Sequence, residues 1–318
     1  MDEKTDGKNL VHKSVLLEES IHLLNLSPGK KIIDATFGGG GHSRSILEAI
    51  GPGGKLLAID WDRENLEKMS GSFGKYGESF VPVWGNFSHV AKLASATNFP
   101  IPVDGILLDL GFSSLQMDDR TRGFSFQSDS KLDMRGDRTR PLSAWDVVNF
   151  YKVDELSRIF RSFGEERKAF VIAKAIVEYR KEKPIDTALE LSALVERTVG
   201  GRKGSRIHPA TRIFQAIRIE VNGELDNLER VLEASIDLLA VGGRLVVISF
   251  HSLEDRIVKN FFKKHSVSCV CPPRFPICRC GQRKNLEIIT KKPVVPTGEE
   301  VDINRRSRSA KLRAAERI

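Results

Sequence analysis

Four consecutive glycines, Gly38 to Gly41, and the His42 that follows lie between two patterned stretches. Before them stands a short apolar run, Lys31-Ile32-Ile33-Asp34-Ala35; after them Ile46, Leu47 and Ile50 recur at helical spacing. A strand that turns on glycine into a helix lets a ligand approach bare main chain. Asp60, 19 residues beyond Gly41 at the end of the next apolar run, is placed to accept hydrogen bonds from ribose hydroxyls. The combination points to a nucleotide-type cofactor, with a ligand-free turn as the plainer alternative. A Gly-x-Gly-x-x-Gly pyrophosphate fingerprint is incomplete, because the sixth position is Ser43 counted from Gly38 and Ser45 counted from Gly40. S-adenosylmethionine, which carries no pyrophosphate, suits such a loop better.

Three further groups of residues carry chemistry. Between residues 111 and 140, Phe112, Phe124 and Phe126 alternate with Arg120, Arg122, Arg135, Arg138 and Arg140, a mixture suited to stacking on bases and pairing with phosphates. Asp118, Asp119, Asp129, Asp133 and Asp137 in the same stretch offer the alternative of internal salt bridges. Cys269-Val270-Cys271 and Cys278-Arg279-Cys280 form two Cys-x-Cys pairs, a candidate zinc site, or else reduced cysteines stiffened by Pro272, Pro273 and Pro276. The segment Arg305 to Arg313 concentrates five cations in nine residues and reads as a solvated or phosphate-contacting arm.

The elements that must position these groups read as an α/β fold. Short apolar runs at Lys31 to Ala35, Lys55 to Ile59, Phe80 to Trp84 and Gly105 to Leu108 alternate with helical segments, as in a parallel sheet covered on both faces. The next core strand, Arg244 to Ser249, follows only after 133 residues beyond Leu110, whereas a βαβ unit takes ~30. The interval holds helical patterns at Asp154 to Phe163, Glu165 to Lys183 and Thr187 to Val199, the last with a capping box from Thr187 and Glu190. Pro209 to Val221 and Glu224 to Leu239 lead back to the sheet. The expected organisation is a first part of a Rossmann-like domain over 1–115, an inserted helical substrate-recognition domain over 116–206, and the remainder of the sheet domain over 207–318.

The 318 residues carry 50 Lys and Arg against 42 Asp and Glu, a net charge of +8, which favours polyanionic partners. Charged residues at 29% and hydrophobic ones at 40% exclude wholesale disorder, four cysteines are too few for a disulfide scaffold, and no run is long enough to span a membrane. A cytoplasmic location is expected.

Taken with Asp34 to His42, the motifs Asp109-Leu110-Gly111-Phe112-Ser113-Ser114 and His251-Ser252-Leu253-Glu254-Asp255-Arg256 make the chain resemble the bacterial 16S ribosomal RNA cytosine-N4 methyltransferases. The likeness runs from about His12 to the C-terminus. It takes in Arg122-Gly123-Phe124-Ser125-Phe126, Leu132-Asp133-Met134-Arg135, Gly164-Glu165-Glu166-Arg167, His208-Pro209-Ala210-Thr211-Arg212 and Asn304 to Arg313. The resemblance implies S-adenosylmethionine on a Rossmann-like sheet and methylation of a cytosine in the ribosomal decoding centre. It further implies Gly40, Gly41 and His42 on the methionyl side of the cofactor, Asp60 on the ribose, Phe87 near the adenine, and Asp109 and Gln116 completing the pocket. The partner is then 16S rRNA or the small subunit, with a homodimer left open.

Such a reaction needs alignment and hydrogen-bond acceptors, because the cytosine amine's lone pair is delocalised into the ring. Amino-methyltransferases often carry an Asp/Asn/Ser-Pro-Pro-aromatic signature after the fourth strand; Asp109 and Phe112 keep its spacing without the prolines. Asp109 is expected to orient the methyl donor or the amine, with Ser113 and Ser114 walling the base pocket and Phe124 and Arg135 binding substrate. The alternative for Asp109 is a strand cap. His251 is read equally as a base or as a helix N-terminus. Rival functions are methylation of another nucleic-acid base and a non-catalytic rRNA-binding assembly factor.

Overall fold

The computed structural model describes residues 14–112, 116–117, 119, 121–126, 128–201, 208–269, 271 and 279–318. Seven strands form one sheet: β1 (Lys31–Asp34), β2 (Lys55–Asp60), β3 (Phe80–Trp84), β4 (Val103–Asp109), β5 (Leu239–Ser249), β6 (Leu286–Ile288) and β7 (Lys311–Arg317). Their spatial order is β3-β2-β1-β4-β5-β7-β6. The first five run parallel, while β7 is antiparallel to both β5 and β6. The fold is therefore the expected Rossmann-like α/β architecture, and the strand order reverses between β1 and β4, where such sheets bind ligands.

Consecutive residues of each central strand serve opposite faces, which explains why the strands are continuously apolar. Ile33, Leu57, Ile59, Ile106, Leu108 and Val247 pack on one side with Val231, Leu232 and Phe262. Ile32, Leu56, Ala58, Leu107, Val246 and Ile248 pack on the other with Ile46, Ile50 and Phe73.

A third core lies apart from both faces. It is built from Phe124, Leu132 and Met134, from the helices Ala144–Phe150, Val153–Ser162, Ala169–Tyr179 and Ala188–Val199, and from the helix Ala210–Asn222. The expected capping box at Thr187 and Glu190 is present. The helix predicted from Glu165 begins instead at Ala169, because Glu165 has φ +49° and Gly164 is pressed against the carbonyls of Phe160 and Arg212, where a Cβ would come within 2.6 Å.

The basic segment departs from expectation. Arg305–Ser309 is a short 3-10 turn, and from Lys311 the chain enters β7, a strand flanked on both sides, with Leu312, Ala314 and Ala315 buried. Arg313 is neutralised there by Asp255 at 2.7 Å, and Lys311 reaches the same carboxylate at 3.2 Å. The charge run is therefore no free arm over its whole length; the period-2 pattern of a strand lies inside it.

Candidate active site

At the carboxyl ends of β1, β2, β4 and β5 a cavity of ≈ 640 Å³ opens between the sheet and the third core. Its floor is the glycine loop. Gly38, Gly39, Gly41 and His42 line it, whereas Gly40 turns the loop from behind. Gly40 has φ +75° as the N-cap of the helix Gly41–Ile50, and a Cβ there would lie 2.8 Å from the Phe73 ring. Two side chains fix the strand ends that carry this loop. Ser43 donates to Asp34 at 2.7 Å, and the Thr36 hydroxyl accepts the Asp109 N–H at 2.6 Å, joining β1 to β4.

Asp60 lines the cavity, with its carboxylate accepting N–H bonds from Gly38, Asp62 and the Asn65 amide. A carboxylate offers about four acceptor sites, so one remains for a ligand hydroxyl. Burial, aided by the charge of Asp62, pushes its pKa up to about 7. Phe87 also lines the cavity, 6.4 Å from Trp61. Trp61 continues an aromatic row to Phe112 (5.5 Å) and Phe124 (4.4 Å further), and the Arg218 guanidinium lies 5.1 Å from the Phe112 ring centre.

Asp109 is the most constrained group. Among the described residues its buried Oδ1 has no hydrogen-bond partner, while Oδ2 lies 3.6 Å from His42 Nδ1. Burial, then the charges of Asp34 and Glu254, raise its pKa well above the ordinary carboxylate range. His42 is held from its other side by the Val15 carbonyl at 3.2 Å.

Opposite, at the end of β5, His251 caps the helix Ser252–His265. Its Nδ1 accepts the Glu254 N–H (3.4 Å), and Glu254 returns its Oε2 to the N–H groups of Phe250 and His251. The helix-terminus reading of His251 is thus realised, yet among the described residues its buried Nε2 has no hydrogen-bond partner, with Glu254 Oε1 3.3 Å away. Burial, then the Arg218 charge, lowers the His251 pKa to about 4, so the ring is neutral near pH 7 and its proton sits on Nε2. Arg218 forks onto Glu224 with two bonds of 2.9 Å.

The remaining expected residues are distributed unevenly. Gln116 and Phe124 line the cavity, and the Gln116 amide donates to Asp62 at 2.9 Å. Arg135 does not line it: its guanidinium is taken up by Asp133 and by the carbonyls of Arg138 and Arg140, the internal pairing that the neighbouring acids offered. Ser113 and Ser114 lie outside the described residues. Among the cysteines, Cys269, Cys271 and Cys280 come together away from the cavity, and Cys278 lies outside the described residues. Arg305, Arg306 and Arg308 stand at the cavity's edge. Trp61, Thr36, Arg218 and Glu224 were not foreseen; only the position of Trp61 directly after Asp60 signalled one of them.

The donor set fits S-adenosylmethionine. Main chain bare of side chains, a carboxylate at a strand end with one acceptor site left, two aromatic rings and an unpartnered buried carboxylate oxygen answer its methionyl, ribose, adenine and sulfonium parts. No helix among the described residues is long and apolar enough to cross a membrane.

The profile of the MraW methylase family matches residues 9–318. A protein of Caldicellulosiruptor bescii named ribosomal RNA small subunit methyltransferase H is 53% identical over 307 residues, 96% of this chain and 99% of its own. Proteins of the same name from Thermomicrobium roseum (50% identical, covering 98% and 95%) and Clostridium botulinum (47%, covering 96% and 99%) are similar over the same span.

Proposed function

The chain belongs to the MraW methylase family, and from that premise we propose that it methylates the N4 amine of a cytosine in the decoding centre of 16S ribosomal RNA, using S-adenosylmethionine. The name shared by its relatives supports the small-subunit rRNA as substrate. The observation that carries the chemistry is the buried Oδ1 of Asp109, which has no hydrogen-bond partner among the described residues, on a side chain that lines the cavity at the strand-order reversal.

Gly38, Gly39 and Gly41 hold the methionyl part of the cofactor, Asp60 its ribose, and Trp61 with Phe87 its adenine. When bound, S-adenosylmethionine supplies an electrophilic methyl group on a cationic sulfur. Asp109 accepts a hydrogen bond from N4, drawing the amine out of conjugation, and takes the proton that N4 loses on gaining the methyl group. Low dielectric around Asp109 strengthens both interactions. His251 Nε2–H donates toward the ring N3 acceptor of cytosine. Uracil presents an N–H at N3 and meets that donor with another donor, so the pairing selects cytosine. The helical unit of 116–206, together with the helix Ala210–Asn222 that shares its core, holds the RNA over the site.

Transfer of labelled methyl groups to undermethylated small subunits, followed by nucleoside analysis, tests this reading. N4-methylcytidine in 16S rRNA is the expected product. Another methylated nucleoside, or no transfer by folded protein, overturns it.

A further inference from the structure

The paired cysteines play no part in methyl transfer as described above, and their arrangement has a separate explanation. The loop that carries them joins the helix Ser252–His265 to β6 and is pinned at its base by the Asn285 N–H on the His265 carbonyl (2.9 Å) and by Gln282 on the Lys264 carbonyl (3.0 Å). Beyond that base little apolar packing holds it: Cys269 and Cys280 are exposed, as are Arg279, Gly281 and Arg283. Cysteine ordinarily prefers the interior, so three thiols converging at a surface call for a cause other than burial.

We propose that Cys269, Cys271 and Cys280 bind a structural zinc ion that fixes this loop. Their sulfurs all lie within 4.8 Å of one another. The Cys269 and Cys280 sulfurs are 3.9 Å apart, far beyond the ~2.05 Å of a disulfide. With Zn–S bonds of ~2.3 Å a tetrahedral site has an S···S edge of ~3.8 Å, which that separation matches. The Cys271 N–H also points at the Cys269 sulfur, 3.4 Å away, a contact that stabilises a thiolate rather than a thiol. The chain's fourth cysteine, Cys278, stands two residues before Cys280 in the sequence and lies outside the described residues. Held in this way, the loop presents Arg279, Arg283 and Lys284 to solvent as a rigid cationic surface. Zinc here is structural and independent of the methyl-transfer reading.

The test is metal analysis of the full chain, purified under reducing conditions and dialysed against zinc, with cobalt substitution as a second readout. About one zinc per chain is expected, together with thiolate-to-cobalt charge-transfer bands and the d–d bands of a tetrahedral cobalt site. Cys269→Ser and Cys280→Ser should each lose the metal while S-adenosylmethionine binding by calorimetry stays unchanged. Reduced wild-type protein that takes up neither zinc nor cobalt overturns the proposal, as do serine variants that retain full metal content. The wild-type cobalt spectrum decides the matter even where a serine variant does not fold.

Discussion

Arg122 of the helical unit and Asp62 at the end of β2 form a buried ion pair, their side chains only 7% and 6% exposed. The same guanidinium donates to the carbonyls of Arg135 and Gly136, and Asp62 also accepts from Gln116 and caps the helix Arg63–Ser70. Although burial opposes it, the hydrogen bond from Gln116 and the charge of Arg122 hold the Asp62 carboxyl below its usual range. One pair thus ties the sheet side of the cavity to the side of the third core. Arg122→Met leaves Asp62 buried and unpaired and should cost about 3–5 kcal/mol of stability in denaturant unfolding. Converting Asp62 to Leu as well should recover part of that loss. A single variant as stable as wild type would show that the two parts are joined elsewhere.

The raised pKa of Asp109 gives cofactor binding a pH dependence of definite sign. The ligand-free carboxyl is protonated where an ordinary aspartate is ionised, whereas a cationic sulfonium beside it favours the ionised form. Binding S-adenosylmethionine should therefore release a proton and tighten as pH rises. S-adenosylhomocysteine is uncharged at sulfur but shares the ribose contact to Asp60, so the ratio of the two affinities isolates Asp109. That ratio should climb as pH rises above the ordinary aspartate range, and should be flat in Asp109→Asn, when followed by calorimetry. Stability of the ligand-free fold should move the opposite way. Asp34 and Asp60 titrate at about 6 and about 7 because of burial, so their contribution is complete below the ordinary aspartate pKa and is lost as pH rises through those values. A melting temperature that rises over that interval would contradict the assignment.

The two nitrogens of His251 have separable tasks. Asparagine is a good N-cap and can replace Nδ1 at the Glu254 N–H, but it is too short to reach the cavity as Nε2 does. Glutamine carries an amide N–H outward to about the Nε2 position. His251→Asn should keep wild-type thermal stability and S-adenosylmethionine affinity while lowering single-turnover methyl transfer about 100-fold. His251→Gln should retain markedly more of the rate. Wild-type turnover by His251→Asn would reduce the residue to a helix cap.

Much of this arrangement is legible in the residues themselves. The parallel strands announce themselves as apolar runs, and Gly38 to His42, Asp60, Phe87 and Asp109 stand at or just beyond strand ends, where a local pattern can mark them. β7 is hidden because Lys311, Arg313 and Arg317 make a central strand look like a basic tail; only Asp255, distant in sequence, neutralises two of them. Arg218, Glu224 and the Asp62–Arg122 pair are equally illegible, since each depends on a contact across the seam between the sheet and the third core. Arg135 shows the reverse error: a cation in an aromatic, basic stretch is spent on its neighbour Asp133.

Of the C-terminal cations, Arg305 and Arg308 remain for the substrate. Both are exposed at the edge of the cavity, and among the described residues neither has an acidic partner in an ion pair, unlike Arg313. A phosphate contacted by either displaces condensed counterions, so each contributes to the salt dependence of RNA binding. Replacing both with alanine should weaken binding to undermethylated small subunits and reduce the slope of log K against log salt by about 1.5. Methyl transfer at saturating subunit concentration should persist, because both side chains are assigned to binding and neither to the transfer step. The corresponding change at Arg313 should instead destabilise the sheet, since it leaves the buried Asp255 with Lys311 alone. A salt slope unaltered in the double variant would remove these two arginines from the RNA interface and leave the helical unit to supply it.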